Sequence, residues 1–600
     1  MSTCIINGRE YEFEDGESIL QVARRNGIFI PTLCRFEPLH HEPGTCRVCL
    51  VKIDDGTGER MSTSCDTPMQ SGMRVDTLSK EVRDRQRMQV ELIFADHDQN
   101  CVACARHGNC ELQDLGEAVG LARNRFADKL VPAAMARPID TTANGMIRDM
   151  TKCIRCLRCV EVCRQVQGVH ALTVDNKGQQ TCIGVGMAPD HNTSTCVQCG
   201  QCILVCPTGA LAERDQNDQV LDWLTDPNIT TVFSFAPSVR VLLGEEFGFA
   251  PGSNVEGRIV AALKAIGADI VTDTDFGADV VIMEEGTELL GRIQNKGVLP
   301  MFTSCCPGWI NYAEKHIPQI LPYLSTTRSP QGVQGPLAKT YLPEKMGIDA
   351  KKIRTISIMP CIAKKDEAAR PQLATDGVRD TDVVLTVREF ARLLRRTGVN
   401  LKDIAPAPFD NPYMSDSTGA AVIFGTTGGV MEAAVRTVYA VLNGKEIEGI
   451  DVHDLRGLEG LREAEVDLGP KHGKIKVAIA HTLRNARILA EQALRGESPY
   501  TFIEVMACPG GCVNGGGIPR VKGAYHLGGK RRRHCLFSMD HNMPRRQSHN
   551  NPQIKQLYAD YLDAPNSEKA HHLLHTHYND RSGQPTESIA KNKERLTLTE

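Results

Sequence analysis

Aromatic residues are scarce in this chain: they make up 5% of its 600 residues, and only two of them are tryptophan. The rest of the composition, 41% hydrophobic and 24% charged, is that of ordinary globular protein and excludes a disordered or fibrous class for most of the chain. There is no basic excess, since 69 Lys and Arg stand against 73 Asp and Glu for a formal charge of -4. Nucleic-acid binding driven by overall charge is therefore excluded. No segment approaches the ~18 uncharged apolar residues of a membrane span. The opening MSTCIINGREYEFEDGESIL is acidic where a secretory peptide needs a basic start and an apolar stretch, and no twin-arginine signal lies near Met1. No G-x-G-x-x-G follows an apolar run and no P-loop appears; GTTGGVME at 425–432 lacks the spacing and reads as a helix-start turn. The expectation is a cytoplasmic protein that binds neither nucleic acid nor membrane, and no dinucleotide by itself.

What the chain has in abundance is cysteine. Of 23, 17 fall within the first 206 residues. In a reducing compartment cysteines are more often metal ligands than disulfides, so the composition points to a soluble metalloprotein. At roughly 150 residues per domain the length implies about four domains.

Five parts follow along the chain. In residues 1–78, the alternating run CIINGREYEF and then SILQVARRNGI predict a hairpin turning at Asn7-Gly8, followed by a helix. Residues 79–119 are expected to be helical over EVRDRQRMQVELIFADHD and to end in a Cys-rich run. A linker containing VPAAMARPIDTTANG leads to 140–216, which holds two further Cys-rich runs. Over 217–520 the apolar runs TVFSF, DVVIM, TISIM, VVLTV and KVAIA alternate with helical stretches, predicting strands in parallel α/β layers. Residues 521–600 are rich in His, Arg and Asn, and Lys530 to Arg533 reads as a solvated loop. The expected fold class is a multidomain α+β and α/β chain.

Cys153, Cys156, Cys159 and Cys163 are followed by Cys196, Cys199, Cys202 and Cys206, with Pro207 directly after the last. This is the C-x2-C-x2-C-x3-C spacing of two-cluster ferredoxins, in which the fourth cysteine of each run ligates the other cluster. One 4Fe–4S cluster is accordingly assigned to Cys153, Cys156, Cys159 and Cys206, and a second to Cys163, Cys196, Cys199 and Cys202. Structural zinc prefers two CxxC pairs, and eight thiols at this period exceed what one ion uses. Cys34, Cys46, Cys49 and Cys65 form a looser version of the plant-type 2Fe–2S spacing, with Pro43, Gly44 and Arg47 in a loop that brings amides toward sulfide; zinc is the open alternative. A third set is His97, Cys101, Cys104 and Cys110, within DHDQNCVACARHGNC. Three cysteines and a histidine suit a 4Fe–4S cluster with one imidazole ligand, which is less negative and of higher potential; a bystander histidine is the alternative.

The first 120 residues resemble the N-terminal part of the large iron–sulfur subunit of respiratory NADH dehydrogenase. Three later motifs, TSCCPGW at 303–309, MPCIAKKDE at 359–367 and MACPGGCVNGGG at 506–517, match the three signatures of iron-only (FeFe) hydrogenases in order. The resemblance covers essentially the whole chain and looks closest to the catalytic subunit of the multi-subunit NAD(P)-linked, electron-bifurcating type. It implies reversible H2 oxidation and proton reduction at an H-cluster. Cys306, Cys361, Cys508 and Cys512 are four thiolates that suit its 4Fe–4S part. Cys512 is implied to bridge to a diiron subcluster carrying CO, cyanide and a dithiolate amine. Each motif follows or ends an apolar run (VLPMFTS, TISIMP, FIEVMA), and ligands at the carboxyl ends of parallel strands converge on a crevice.

The resemblance also assigns roles. Lys364 is implied to donate to a cyanide nitrogen, Met359 and Met506 to pack around the diiron site, and glycines 510, 511 and 515–517 to let backbone approach the inorganic ligands. Cys305 is implied to relay protons, on a route running Arg292, Glu285, Ser325, Glu288, Cys305; the two carboxylates lie three apart on one face of a predicted helix. Two stretches depart from the family: Ile518 stands before the proline where a polar residue is usual, and VKGAYHLGGKRRRHC fits poorly. MPRRQSHNNPQIKQLY and AHHLLHTHY then resemble the separate small subunit of two-chain hydrogenases, fused as a wrapping belt. His571, His572, His575 and His577 are expected in helix-end packing there, with metal binding as the alternative. Cys4, Cys182 and Cys535 take no role. The implied cofactors are one 2Fe–2S cluster, three accessory 4Fe–4S clusters and the H-cluster. The implied partners are a flavin-containing NAD(P)-reactive subunit, a small 2Fe–2S subunit and ferredoxin. Maturation proteins are implied as well, because no amino acid supplies CO or cyanide. Two other readings are an H2-sensing protein, which would usually carry a signalling domain, and an electron-transfer subunit, which would lack Cys305, Lys364 and Glu288.

Overall fold

The computed structural model describes residues 2–126, 137–447, 450–469, 473–526 and 528–583. Part of the linker run VPAAMARPIDTTANG, Leu527 and the end of the belt, 584–600, lie outside them. The chain opens as expected, with strands Ser2–Ile6 and Arg9–Phe13 pairing antiparallel. Asn7 (φ 49°) and Gly8 (φ 78°) both sit in the left-handed region, the geometry a two-residue hairpin of this twist requires. Helix Ile19–Arg25 follows, with a capping box in which Ser18 accepts from the Gln21 amide while the Gln21 side chain returns to the Ser18 amide. Strands Leu50–Asp54, Glu59–Thr63 and Arg74–Asp76 complete a five-stranded sheet over a core that includes Ile6, Phe13, Val51 and Ile53. Helix Lys80–Ala95, capped by Ser79, leads to helix Glu111–Ala118.

The third part is built on two short helices, Arg158–Val162 and Gln201–Val205, each starting just after a C-x2-C step. Their N-caps, Leu157 (φ 63°) and Gly200 (φ 73°), are both left-handed, so the two halves repeat the same backbone turn. A small hairpin, Thr173–Asp175 with Cys182–Gly184, stands between them and buries Cys182.

Two four-stranded sheets form the lobes of the largest part. In the first, Ile270–Asp273, Thr230–Phe235, Ile353–Met359 and Val383–Thr386 lie side by side, all parallel. In the second, Met301–Phe302, Phe502–Met506 and Lys474–His481 are parallel and Leu461–Asp467 is an antiparallel edge. Phe233, Ile356 and Leu385 are at most 1% exposed, each contributing roughly 1.5–3 kcal/mol by burial. The departure at Ile518 is a packing residue of this core.

Two expectations are corrected. DVVIM at 279–283 is not a strand but lies inside helix Thr274–Gln294, whose residues Thr274–Ile282 are all buried. An apolar run buried on every side carries no period to tell helix from strand. Lys530 to Arg533 is not a solvated loop but the start of helix Gly529–Asn542. Arg532, 1% exposed, pairs with Glu245 at 2.6 Å and donates to the Val513 carbonyl at 3.0 Å. Beyond it, helix Glu568–Leu574 turns the chain back along residues 325–328: Thr327 and His575 form an antiparallel bridge, and Tyr578 Oη donates to the Ser325 carbonyl at 2.8 Å.

Candidate functional site

In the first module the four thiols fall into two facing pairs. Cys34 is held below its ordinary pKa by Cys46, and Cys49 by Cys65. Two pairs, one per iron, suit a 2Fe–2S cluster. His41 Nε2 lies 2.8 Å from the Cys156 carbonyl, so this module abuts the third. Arg158 joins three modules at once: it donates to the carbonyls of Leu33, Cys34 and Arg35, and its Nη1 pairs with Glu111 at 2.9 Å.

His97 is 5% exposed and its Nδ1 has no partner among the described residues. Burial lowers its pKa to about 4, which keeps the imidazole neutral, the form that ligates. Cys110 caps helix Glu111–Ala118. Cys104 lies directly against Gly209, where a Cβ would collide with its sulfur, so this module also abuts the third. There, burial raises the Cys159 thiol and the charges of Cys156, Cys206 and Cys153 raise it further. Cys199 in turn feels Cys196, Cys163 and Cys361. The chain thus groups Cys206 with the first run, and Cys163 with the second.

The catalytic lobes carry their motifs at the carboxyl ends of strands. Cys306 caps helix Pro307–His316 and its Sγ accepts from the Ala507 amide at 3.3 Å. Cys361 follows strand Ile353–Met359, and Cys508 and Cys512 follow Phe502–Met506. These four cysteines, with Cys305, Lys364, Met359 and Met506, line one cavity. Burial, first, and then the other cysteines raise Cys508 and Cys512. Thiolates with so little solvation need a cation among them, and a metal cluster fits that donor set. Gly511 and Gly515 line the same cavity, and the glycine run also serves packing. A Cβ on Gly511 would come within 2.6 Å of the Thr427 amide, and one on Gly515 would strike the Pro360 carbonyl. A Cβ on Gly516 would strike the carbonyl of Cys199. The run lets the third motif pack on protein backbone, and at Gly516 it presses the catalytic lobe against the second ferredoxin run.

Lys364 Nζ donates to Ser329 Oγ at 2.6 Å, Glu367 Oε2 at 2.7 Å and the Cys305 carbonyl at 3.4 Å. The acid–base residues are brought together in an order different from the expected one. Arg292 Nη2 pairs with Glu288 at 2.6 Å, and Ser325 Oγ donates to Glu288 at 2.8 Å. Glu285, one turn nearer the helix start, is 1% exposed with both oxygens unpartnered among the described residues. Burial and then the Glu288 charge raise its pKa to about 8. Burial also raises Cys305, and Glu285 is the charge that acts on it most. The order is Arg292, Glu288, Ser325, Glu285, Cys305, with the two carboxylates exchanged. Helix direction decides this, because the N-terminal end of Thr274–Gln294 points inward.

His575 bonds Thr326 Oγ1 at 2.8 Å and Glu284 at 3.1 Å, and His571 stacks on it at 4.1 Å between ring centroids; both serve helix-end packing. The GTTGGVME turn begins helix Gly429–Asn443, and its amides are filled by Glu504, which accepts from Gly428 at 2.6 Å and Met431 at 2.8 Å. Glu504 was missed, since a lone Glu inside an apolar strand carries no spacing signal. No described helix is long and apolar enough to cross a membrane.

A ladder of cysteine sets leading to a thiol-lined cavity at the ends of parallel strands defines an iron–sulfur oxidoreductase. The chain matches the family described as iron only hydrogenase large subunit, C-terminal domain, over residues 229–516, and iron hydrogenase small subunit over 529–581. It also matches a 2Fe-2S iron-sulfur cluster binding domain over 1–80, the NADH-ubiquinone oxidoreductase-G iron-sulfur binding region over 86–125, and a 4Fe-4S dicluster domain over 152–210. It is 40% identical to the NADP-reducing hydrogenase subunit HndD of Solidesulfovibrio fructosivorans, over 96% of this chain and 99% of that one. It is 38% identical to iron hydrogenase 1 of Clostridium pasteurianum, over 96% and 100% respectively. Among solved structures, an FeFe-hydrogenase variant from Chlamydomonas reinhardtii superposes with a TM-score of 0.55 at 38% identity, covering 61% of this chain and 99% of that one. The chain belongs to the iron-only (FeFe) hydrogenases: it is an iron–sulfur oxidoreductase acting on H2.

Proposed function

We propose that this chain is the H2-reactive subunit of a cytoplasmic, NAD(P)-linked hetero-oligomer. Its electrons would pass through one 2Fe–2S and three 4Fe–4S clusters to a flavin-containing partner. The observation that carries this reading is continuity. Both N-terminal modules abut the Cys153–Cys206 module, at Cys156 and at Gly209, and that module abuts the catalytic cavity through Cys199 and Gly516. The likeness to an NADP-reducing hydrogenase subunit supports the partner class, and the lack of a dinucleotide fingerprint leaves NAD(P) to that partner. A small 2Fe–2S subunit and ferredoxin are further partners of the same electron chemistry, and maturation proteins supply CO and cyanide.

The residues at the cavity fit an H-cluster, with Cys306, Cys361, Cys508 and Cys512 as ligands and Lys364, Met359 and Met506 beside them. When bound, that group supplies the redox site for 2H⁺ + 2e⁻ ⇌ H2. The protein's part is protons and exclusion of water. The Cys305 thiol, raised by burial and Glu285, stays protonated and offers its proton into the cavity. Glu285, with its pKa near 8, is poised to exchange with Cys305 at neutral pH. Ser325 and Glu288 carry the proton outward to Arg292. Anaerobic protein co-produced with maturation factors should show infrared bands of metal-bound CO and cyanide that shift under H2. It should reduce a viologen dye with H2, and NAD(P)⁺ only when the flavoprotein is added. NAD(P)⁺ reduction by the isolated chain would overturn the partner assignment.

A further inference from the structure

Where the modules meet, the protein buries more positive charge than it pairs. Arg106, two residues after Cys104, is 2% exposed. Its Nε and Nη1 have no partner among the described residues, and Nη2 has only the Pro207 carbonyl at 3.5 Å. Behind it, Arg388 and Arg520 share Glu213, at 2.7 and 3.2 Å, and Arg392 takes the other oxygen of the same carboxylate, at 2.8 Å, and Asp215. Four guanidiniums therefore face two carboxylates. The nearby Glu111 is already paired with Arg158. Buried charges are paired or stand by metals, and a guanidinium does not escape by losing its proton. Burial opposes the charge on both Arg106 and Arg520, and Arg106 Nη2 reaches the carbonyl of Pro207, the residue directly after Cys206. The missing negative charge lies on that side, where Cys206 stands with Cys153, Cys156 and Cys159.

We infer that Arg106, backed by Arg388 and Arg520, is the counter-charge of the cluster held by Cys153, Cys156, Cys159 and Cys206. In this role it is a positioning residue that sets a potential and does not touch H2. This rests on the cluster assignment made above. The site is where both N-terminal branches join the path to the cavity, and a buried cation favours the reduced, more negative state of a cluster. Electrons from either branch are thereby collected at the junction before they move on.

The test is an EPR-monitored redox titration of the full, cluster-loaded chain, comparing wild type with Arg106→Gln and Arg106→Lys. Loss of charge should move the junction cluster to lower potential by at least a tenfold change in its reduced-to-oxidised ratio, which is about 59 mV for a one-electron couple. Lysine should restore most of it, which a packing role would not do. The cluster of Cys163, Cys196, Cys199 and Cys202, farther off, should move less. If Arg106→Gln loses iron, Arg520→Gln takes its place, with a smaller shift in the same direction expected. All clusters present with the junction potential unmoved, or lysine and glutamine shifting it equally, would overturn the inference. Absence of a junction signal in wild type would instead sink the cluster assignment on which it rests.

Discussion

Replacing Glu285 by glutamine should make the protein more stable and nearly inactive, and the stability gain should appear only as pH rises. An unfolded glutamate titrates near 4.3, whereas Glu285 in the fold titrates at about 8 because burial and Glu288 oppose its charge. Below about pH 4 both states hold the proton and ionisation contributes nothing. Between the two values the unfolded chain releases its proton and the folded chain cannot, so folding weakens as pH climbs, and the loss levels off above about pH 8. At about 1.4 kcal/mol per pH unit, the penalty reaches on the order of 5 kcal/mol. Glu285→Gln keeps the shape and removes the ionisation. Urea unfolding followed by tryptophan fluorescence, with Trp309 fully buried beside the site, should show the variant ahead of wild type by only about 1 kcal/mol at pH 5 and by on the order of 5 kcal/mol at pH 9. H2-driven dye reduction should meanwhile fall by roughly 10²–10⁴, the usual worth of a positioned acid–base group. A stability difference that stays flat between pH 5 and 9, or turnover within threefold of wild type at full iron content, would refute the reasoning.

Three other outcomes are expected. Cys361→Ser should lose the iron of the catalytic lobe and all H2 turnover while the EPR signals of the N-terminal clusters persist, because Cys361 lies in a separate lobe from those ligands; loss of every signal would contradict this. His97→Cys should keep its cluster but lower the potential, since a thiolate adds negative charge where the imidazole is neutral; a redox titration reads the direction. Arg532→Ala should cost about 3–5 kcal/mol in urea unfolding, because it strands a buried Glu245, and a surface-like loss below about 1 kcal/mol would show that the pair is not buried in solution.

Much of the site could be read from spacing, because cysteine ligands to a cluster must recur at intervals the metal dictates. What spacing could not supply was depth. Glu285 and Glu288 share a helix face, yet only the direction of helix Thr274–Gln294 tells which is nearer Cys305. The same burial that hides this helix erased the polar period that would have marked DVVIM as helical. Arg106, Glu213 and Arg520 are separated by more than a hundred residues each, so their meeting at the junction left no local pattern. The basic run at 530–533 looked solvated because charge usually is, and Arg532 turned inward to meet a glutamate 287 positions away.

The return of residues 574–578 along 325–328 bears on the order in which the molecule is assembled. The Leu574 carbonyl accepts from the Arg328 amide at 2.8 Å, Thr576 donates to the Thr326 carbonyl at 2.8 Å, and Tyr578 closes over Ser325. Ser325 is the hydroxyl between the two carboxylates, so one wall of the proton path comes from chain made after both lobes. During synthesis the lobes fold as their residues emerge, but the path stays open to water until the strap that follows the last lobe strand, Phe502–Met506, arrives. A ribosome stalled shortly before residue 574 would therefore hold a folded pair of lobes with a leaking proton channel, which only the later strap closes.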